Sequence, residues 1–329
     1  MIKTPEFWYS DTQPPASLKP LSWVYDHVSR LQRQCTSTKK VSKPVICVGN
    51  ITMGGSGKTP VAIALSHLMK DMGYLPHFLS RGYGGAEKGP VHVQEQEHQA
   101  QDVGDEPLLL SQHAPCWVSK SKTTGASAAI EGGAKTIIMD DGYQNQSLQK
   151  DISILVIDGV RGFGNGGVFP AGPLRETPKR ALKRANAVVL LNVPKGNKTE
   201  WQTLLKSFEY KKPIFFAKTY TDMSLKDEVV VGFAGIGFPN KFYDSLVNAG
   251  AKVRDFFPFA DHYPYTQKDM RMLINSARRH KATLMTTEKD FVRLPKDAQE
   301  HVKTLPLSLQ WDDLDAITAF LKEKVQKIK

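Results

Sequence analysis

The stretch Thr52-Met-Gly-Gly-Ser-Gly-Lys-Thr59 decides the fold. It follows the short apolar run Val45–Val48 and leads into a segment, about Lys58 to Met72, with the apolar spacing of a helix. The phosphate-binding loop has the pattern GxxxxGK[ST], and here Thr52 stands in place of its first glycine. Such a loop directs backbone N–H groups and the positive end of a helix dipole at phosphate oxygens. A glycine-rich turn without ligand is the alternative, and the strand–loop–helix order disfavours it.

The loop also predicts where a metal ion would bind. Lys58 is expected to hold the β- and γ-phosphates, and the Thr59 hydroxyl to bind Mg²⁺. A second apolar run, Thr136–Met139, ends in Asp140 and Asp141. Because strands of a parallel sheet end at one edge, Asp140 is predicted to be the Mg²⁺ acid, while Asp141 either shares that site or steers the substrate. A plain turn at the end of the strand is the alternative.

The remaining pattern predicts the fold class. After residue 44, short β-rich runs alternate with helical patterns. This order is typical of an α/β protein, here a P-loop NTPase-like mainly parallel sheet with helices on both faces. The Gly- and Pro-rich stretch 159–178 is too long for a plain connector and is interpreted as a functional loop or hinge. We expect an N-terminal segment over 1–44, a core over 45–180, and a second, smaller α/β domain with a C-terminal helix over 181–329.

Composition limits the function classes. The chain has 329 residues and a formal net charge of +11, which favours an anionic partner: nucleotide, phosphorylated substrate, acidic membrane or nucleic acid. No apolar run approaches the roughly 20 residues that span a bilayer. The three cysteines are scattered, which disfavours a disulfide framework and a zinc ribbon. No nucleic-acid-binding motif accompanies the charge, so no nucleic-acid partner is expected.

The first 44 residues predict an amphipathic helix. This segment carries seven Lys and Arg against three Asp and Glu, and an aromatic cluster at Phe7–Tyr9. From about Ser17 to Gln34, apolar residues recur at helical spacing, namely Leu21, Val24, Tyr25, Val28 and Leu31. Such a helix either packs on its own domain or lies on a membrane, with aromatic rings at the headgroups and basic residues on anionic lipid. The pattern leaves both interpretations open.

Two further segments offer acid–base chemistry. Val103–Pro107 places Asp105 and Glu106 at a helix start, where a carboxylate can also serve only as a cap. His262 stands in an Asp-His-Tyr triplet, and a lone histidine is usually a surface or core residue. A carboxylate–histidine pair could take the proton from an attacking hydroxyl, provided that the two side chains meet.

Two arginines and one lysine-containing motif are candidates for contacts with a phosphate or a nucleotide. The planar guanidinium groups of Arg81 and Arg175 suit phosphate, although each could equally be a solvated surface charge. Thr286–Asp290 is similar to a guanine-reading sequence, but its lysine is one place out of register. We interpret that segment as a structural turn at the end of a strand.

Taken together, the motifs resemble one family. The segments GGSGKTP, LSRGYGG, VGDEP, MDDGYQ, FPAGPLRE, FAGIG, DHY and TTEKD occur in this order. This set, covering roughly residues 1–295, is similar to the tetraacyldisaccharide 4′-kinases of lipid A synthesis. The resemblance implies ATP and Mg²⁺ as cofactors, and transfer of the γ-phosphoryl group to the 4′-hydroxyl of a tetraacyl glucosamine disaccharide 1-phosphate, giving lipid IVA. It also implies two α/β domains joined by a hinge with the nucleotide between them.

The resemblance also assigns residues. Asp105 matches the family's catalytic base and His262 the histidine that supports it, while Lys58, Asp141 and Arg175 complete the expected catalytic set. The metal residues would be Thr59 and Asp140. The residues expected to bind ATP are Thr52, Met53, Gly54, Gly55, Ser56, Gly57, Lys58 and Thr59. Those expected near the lipid disaccharide are Arg81, Tyr83 and Gln144. Asn145 stands where the family typically has histidine, so we assign it no role in proton transfer.

The resemblance favours the membrane interpretation of residues 1–44. The expected partners are the anionic glycolipid and, by peripheral (monotopic) contact, an anionic bilayer, with a monomer acting at the cytoplasmic face of the bacterial inner membrane. Two alternatives remain open at this stage. One is a soluble P-loop kinase or GTPase-like enzyme with a small polar acceptor, and the other is a nucleotide-dependent binder of nucleic acid.

Overall fold

The computed structural model describes residues 5–10 and 12–328. Residues 1–4 and position 11 of the predicted N-terminal segment lie outside the described residues. The strands are β1 Val45–Gly49, β2 Pro76–Ser80, β3 Val91–His92, β4 Cys116–Val118, β5 Thr136–Asp140, β6 Ile152–Asp158, β7 Ala187–Leu191, β8 Ile214–Tyr220, β9 Val229–Ala234, β10 Lys252–Pro258, β11 Thr283–Thr287, β12 Lys303–Leu305 and β13 Ser308–Trp311. The helices are α1 Leu18–Gln34, α2 Lys58–Asp71, α3 Ala100–Val103, α4 Asp105–Ser111, α5 Lys122–Glu131, α6 Pro178–Arg184, α7 Lys198–Ser207, α8 Pro239–Asn248, α9 Gln267–His280, α10 Glu288–Phe291, α11 Lys296–Gln299 and α12 Leu314–Gln326, after a 3₁₀ turn at Glu6–Trp8.

The larger sheet has nine strands in the order β13-β8-β7-β6-β1-β5-β2-β4-β3. Pairing is parallel from β8 to β4, and only the two edge strands, β13 and β3, run antiparallel to their neighbours. Strand β1 is apolar and buried on both faces: Ile46 and Val48 join one core cluster, and Val45 and Cys47 the other. Helices on both faces of a parallel sheet require such continuous apolar runs. The predicted P-loop NTPase-like α/β fold is confirmed.

The smaller sheet contains four parallel strands in the order β10-β9-β11-β12. Its core also has two sides, with Val231 and Phe233 in one cluster and Val230 and Ala234 in the other. Helix α9 covers one face, through Met270 and Leu273. We call the segment from β9 to β12 the smaller unit, and the rest of the described chain the larger unit.

The predicted start of a second domain at residue 181 does not coincide with the strand pairing. Strands β7 and β8 continue the larger sheet, with Ala187 opposite Ile154 and Ile214 opposite Val188. The chain then returns from the smaller unit, because β13 pairs with β8 and α12 adds Ile317 to the larger core. An apolar run alone does not say which sheet it joins. We propose that the second domain is the smaller unit alone.

Helix α1 forms over almost the range that the sequence predicts. The Gly- and Pro-rich stretch contacts α1 through polar groups. The Ser22 hydroxyl donates to the Val168 carbonyl (2.7 Å) and accepts from the Ala171 N–H (2.9 Å). The buried Asp26 forms an ion pair with Arg180 of α6. Within residues 5–10 and 12–328, no helix combines the length and the apolar character needed to cross a membrane.

Candidate active site

The phosphate loop lies between β1 and α2, at the carboxyl edge of the larger sheet. Gly54 and Gly57 have φ values of 90° and 78°, in the left-handed region that favours glycine. A Cβ on Gly57 would also lie 2.2 Å from Cδ2 of Leu191, at the end of β7. Glycine is therefore required here by both backbone conformation and space. Lys58 begins α2, and 8 % of its surface is exposed.

The Gly- and Pro-rich stretch packs directly on this loop. The Met53 N–H donates to the Pro173 carbonyl (2.7 Å), and the Arg175 N–H donates to the Ile51 carbonyl (2.6 Å). Thr52 forms an antiparallel bridge with Leu174. The stretch therefore supports the phosphate loop and delivers Arg175 to it.

Asp140 ends β5, the neighbour of β1, and is buried. Neither of its carboxylate oxygens accepts a hydrogen bond from the described residues. Burial raises the pKa of Asp140 to about 7, and the negative charge of Glu106 adds to this while Lys58 opposes it. A buried carboxylate without a protein donor, beside a phosphate loop, has the free oxygen ligands that Mg²⁺ prefers. The residues present thus fit the metal that the sequence predicts.

Asp141 forms ion pairs with two positively charged side chains beside the phosphate loop. Its Oδ1 lies 3.0 Å from Arg175 Nη1 and 3.6 Å from Lys58 Nζ. Burial would raise the pKa of Asp141, but the charges of Lys58 and Arg175 outweigh burial and lower it. The Arg175 guanidinium also donates to Gln144 Oε1 (3.3 Å). Lys58 and Arg175 are consequently fixed where phosphate charge would need them.

Gln144 links the phosphate site to helix α1. Its Nε2 donates to the Asn50 carbonyl (2.8 Å) and lies 3.4 Å from Glu176 Oε1. Glu176 is fully buried and receives both guanidinium nitrogens of Arg184, each at 2.8 Å. Arg33 of α1 lies 3.7 Å from the same carboxylate. Gln144 thus acts in this structure as a bridge between Arg175 and an ion-pair cluster under α1.

Asp105 and His262 meet, although they come from different units. His262 Nδ1 lies 2.9 Å from Asp105 Oδ2. Asp105 begins α4 in the larger unit and is buried, while His262 follows β10 in the smaller unit with a φ of 55°. Burial would raise the pKa of Asp105, but the hydrogen bond with His262 and the nearby charges of Lys289 and Arg293 outweigh burial and lower it. Asp105 is therefore a buried carboxylate whose negative charge the smaller unit stabilises.

Capping and chemistry are not exclusive at the start of α4. Asp105 Oδ1 accepts the N–H of Glu106 (2.8 Å), as the capping alternative requires. Its other oxygen still faces His262. A helix start places the carboxylate in a fixed position, and the smaller unit supplies its partner.

Sequence reasoning missed Lys289 and Arg293. Lys289 Nζ lies 3.1 Å from Glu106 Oε1 and 3.5 Å from His262 Nε2. Arg293 Nε lies 3.4 Å from Asp105 Oδ2. The interpretation of Thr286–Asp290 as a structural turn agrees with the contacts of Thr287, whose hydroxyl caps α10. The sequence feature that could have revealed these contacts is Lys289 itself, a charged residue inside a motif that we interpret as a turn.

Of the residues expected near the disaccharide, Arg81 and Tyr83 are exposed, whereas Gln144 is partly buried beside Arg175. Tyr83 is exposed, and its ring centroid lies 5.3 Å from that of His262. Arg81 is exposed in the same turn. Asn145 is engaged locally, since its Oδ1 accepts from the N–H (3.1 Å) and the hydroxyl (3.0 Å) of Ser147. The absence of a proton-transfer role for Asn145 stays a prediction.

Comparisons with known proteins identify the family. The profile of tetraacyldisaccharide-1-P 4′-kinase (LpxK) matches residues 15–326. The chain belongs to this family. A tetraacyldisaccharide 4′-kinase from Paramagnetospirillum magneticum is 43 % identical, with 96 % of this chain and 97 % of the relative covered. One from Caulobacter vibrioides is 42 % identical, with 98 % of both covered.

A solved structure agrees with the fold. The chain is similar to LpxK from Aquifex aeolicus, described as the "apo" form in complex with ATP, with a TM-score of 0.73 and 28 % identity. The match covers 94 % of this chain and 99 % of that one. The resemblance to this family, which we inferred from the order of the motifs, is confirmed.

Proposed function

We propose that the chain transfers the γ-phosphoryl group of ATP to the 4′-hydroxyl of tetraacyldisaccharide 1-phosphate, forming lipid IVA in lipid A synthesis. Family membership supports the activity. The observation that carries the site assignment is the 2.9 Å contact of Asp105 with His262. The free oxygens of Asp140 and the paired cations Lys58 and Arg175 complete a phosphoryl-transfer site.

Each residue has a role in direct in-line transfer. Thr59 and Asp140 would hold Mg²⁺, which when bound neutralises phosphate charge. Lys58 and Arg175 stabilise the charge that develops on the transferred group, because both are fixed before the reaction by Asp141. Asp105 accepts the proton of the 4′-hydroxyl as that oxygen attacks, and His262 orients the carboxylate.

The lipid substrate explains the surface of α1. Its outward face carries five exposed apolar side chains, namely Leu21, Trp23, Val24, Val28 and Leu31. Trp23 and Leu31 are 63 % and 60 % exposed, so the body of the protein does not cover this stripe. Each CH₂ group buried in lipid is worth about 0.8 kcal/mol, so lifting four acyl chains into water would be prohibitive. We infer that α1 lies in the bilayer interface and lets the substrate stay there.

The sequence predicts that the aromatic cluster Phe7–Tyr9 lies at the lipid headgroups, but Trp8 of this cluster is buried in the protein. Trp8 is buried against Phe169, at a ring distance of 6.0 Å, and its indole N–H donates to the Pro170 carbonyl (3.1 Å). Trp8 therefore anchors the N-terminal segment on the body. Trp23 is the exposed tryptophan of α1 and is placed to take the headgroup position.

We further propose a monomer that binds peripherally at the cytoplasmic face of the bacterial inner membrane. The net charge of +11 supports attraction to an anionic surface. The alternative of a soluble kinase or GTPase-like enzyme with a small polar acceptor is not favoured by the family match, and it gives no reason for the uncovered stripe on α1.

The direct test is mass spectrometry of the reaction product. The purified chain is incubated with ATP, Mg²⁺ and detergent-dispersed tetraacyldisaccharide 1-phosphate. A product heavier by one phosphoryl group, absent with Lys58→Ala, is expected. If folded, ATP-binding protein gives no such product, the proposed acceptor is wrong and the small polar acceptor becomes the better hypothesis.

A further inference from the structure

An arginine of the Gly- and Pro-rich stretch joins three parts of the chain, and the mechanism above gives it no task. The Arg161 guanidinium carbon lies 2.9 Å from the ring centroid of Phe238, in the loop between β9 and α8 of the smaller unit. It also lies 5.6 Å from the ring centroid of Tyr9, which precedes α1. The rings of Tyr9 and Phe238 meet edge to face, with their centroids 6.0 Å apart. We call these three side chains the aromatic junction.

The aromatic junction lies on the phosphate loop. A Cβ on Gly54 would lie 3.6 Å from the Phe238 ring, and the Tyr9 hydroxyl lies 3.5 Å from the Met53 carbonyl oxygen. Met53 and Gly54 are among the residues expected to bind ATP. Phe238 and Tyr9 therefore lie against the part of the chain that would hold the phosphates.

A carboxylate at the end of β6 fixes the turn that carries Arg161. Asp158 Oδ1 accepts the N–H groups of Val160 (3.0 Å) and Arg161 (3.3 Å). The other oxygen of Asp158 forms an ion pair with Lys241 of α8. The same carboxylate thus holds the turn before the aromatic junction and the helix that follows Phe238.

The chemistry of the guanidinium group gives a junction that can open. A cation over an aromatic ring is attracted by the negative charge of the ring face. Arg161 Nη1, however, is buried and has no hydrogen-bond partner among the described residues. Burying a donor without a partner is unfavourable. Because this cost opposes the attraction, the aromatic junction by itself does not lock the two units together.

We propose that Arg161 and Phe238 are positioning residues for nucleotide binding, whose stack holds the loop after β9 on the phosphate loop, and that Tyr9 makes the N-terminal segment part of this junction. The inference rests on the ATP-binding part of the proposed function and not on its lipid acceptor. A ligand that binds better with the two loops together stabilises that arrangement. A weaker junction should therefore weaken the binding of ATP.

The test is a double-mutant cycle in which ATP and Mg²⁺ are titrated into the full chain by calorimetry. Arg161→Met removes the cation and Phe238→Leu removes the aromatic face. Each should raise the Kd for ATP about tenfold, which corresponds to about 1.4 kcal/mol and lies in the range for a cation–π contact. The double variant should also bind about tenfold more weakly, because the two side chains form one contact.

A conservative variant and the kinetics separate positioning from a general loss of structure. Arg161→Lys keeps a cation at this place and should recover most of the affinity for ATP. In turnover assays the loss should appear in the KM for ATP rather than in kcat, because the junction positions the phosphate loop and leaves Asp105 in place. If Phe238→Leu does not fold, the Arg161 variants alone decide the question.

Two controls match the variants of the junction. Lys324→Met removes another cation that lies over a ring, since Lys324 Nζ is 5.8 Å from the Phe320 centroid within α12, and it should leave the Kd unchanged. Tyr9→Leu should raise the Kd about threefold. Ser10→Ala, at the exposed neighbouring position, should not change it.

Three outcomes would contradict the proposal. A double variant with a Kd raised about a hundredfold would show that Arg161 and Phe238 act independently. An unchanged Kd in Arg161→Met would show that the junction has no part in nucleotide binding, and an unchanged Kd in Tyr9→Leu would overturn the role of the N-terminal segment. The titration contains no lipid, so the expected cycle in a chain that phosphorylates no lipid would count against the proposed acceptor alone.

Discussion

At the scale of single residues, the proposed mechanism depends on one carboxylate, that of Asp105. Asp105→Asn keeps the size of the side chain and removes its ability to accept a proton. We expect kcat to fall by about 10²–10⁴-fold, as is typical for loss of a general base, while ATP binding is retained. Product formation by mass spectrometry and ATP titration by calorimetry measure the two quantities. A variant with near-full turnover would show that another group accepts the proton.

Asp290 is the residue that holds this part of the smaller unit together. It is fully buried and accepts hydrogen bonds from the Gly235 N–H (2.8 Å), the Tyr265 hydroxyl (2.7 Å) and the Arg293 guanidinium. Asp290→Ala would leave Arg293 buried without this partner. We expect a loss of about 3–5 kcal/mol in the free energy of unfolding, the usual cost of breaking a buried ion pair.

Urea denaturation followed by circular dichroism measures this loss. Asp297→Ala is the control, because within the described residues the carboxylate of Asp297 accepts hydrogen bonds only from the exposed side-chain amide of Gln267 (2.7 and 2.8 Å). That variant should change stability by less than about 1 kcal/mol. Equal midpoints for the two variants would contradict the structural role that we give to Asp290.

At the scale of elements, α1 has its ionic side inward and its apolar side outward. Asp26 and Arg33 face α6 and Glu176, whereas Leu21 and Leu31 face solvent. A helix of a globular protein normally has the opposite arrangement. We predict that the double variant Leu21→Gln, Leu31→Gln binds vesicles of phosphatidylethanolamine and phosphatidylglycerol about 10²–10⁴-fold more weakly, because two leucines at about 1.5–3 kcal/mol each, when fully buried, sum to about 3–6 kcal/mol.

The control for α1 is the pair Leu75→Gln, Leu314→Gln. These leucines are also exposed but lie outside α1. In vesicle co-sedimentation, the control variant should bind as strongly as the unmodified chain. If the α1 variant also binds normally, the stripe is not the membrane contact, and the basic residues of the surface become the candidates.

The positions of strands, helices and loops could be predicted from the sequence more readily than the elements with which they pair. The phosphate loop and the carboxylates after Met139 could be placed from sequence, because each follows an apolar run at the same sheet edge. The pairing of β13 with β8 could not, since Ser308–Trp311 is a short edge strand whose partner is about ninety residues earlier in the chain. Likewise Lys289 looked like part of a turn, because only the fold brings α10 to the start of α4.

At the scale of the whole molecule, the units meet around the phosphate loop. Besides the contacts of His262 and Lys289, Lys241 of α8 forms an ion pair with Asp158 at the end of β6. The loop after β9 faces the phosphate loop, since a Cβ on Gly54 would lie 3.6 Å from the Phe238 ring. The proposed nucleotide site is thus bounded by both units, and bringing them together can exclude water from the reaction.

Gly237 tests whether this close approach matters for nucleotide binding. A Cβ added there would lie 3.2 Å from the backbone nitrogen of Gly55, so a larger side chain would separate the two loops. We predict that Gly237→Val raises the KM for ATP about tenfold and that Gly237→Ala raises it less, because overpacking costs typically 1–3 kcal/mol. Asn240→Val, at an exposed position of α8, should leave the KM unchanged. With all melting temperatures similar, a flat series of KM values would mean that ATP binds without the two loops in contact.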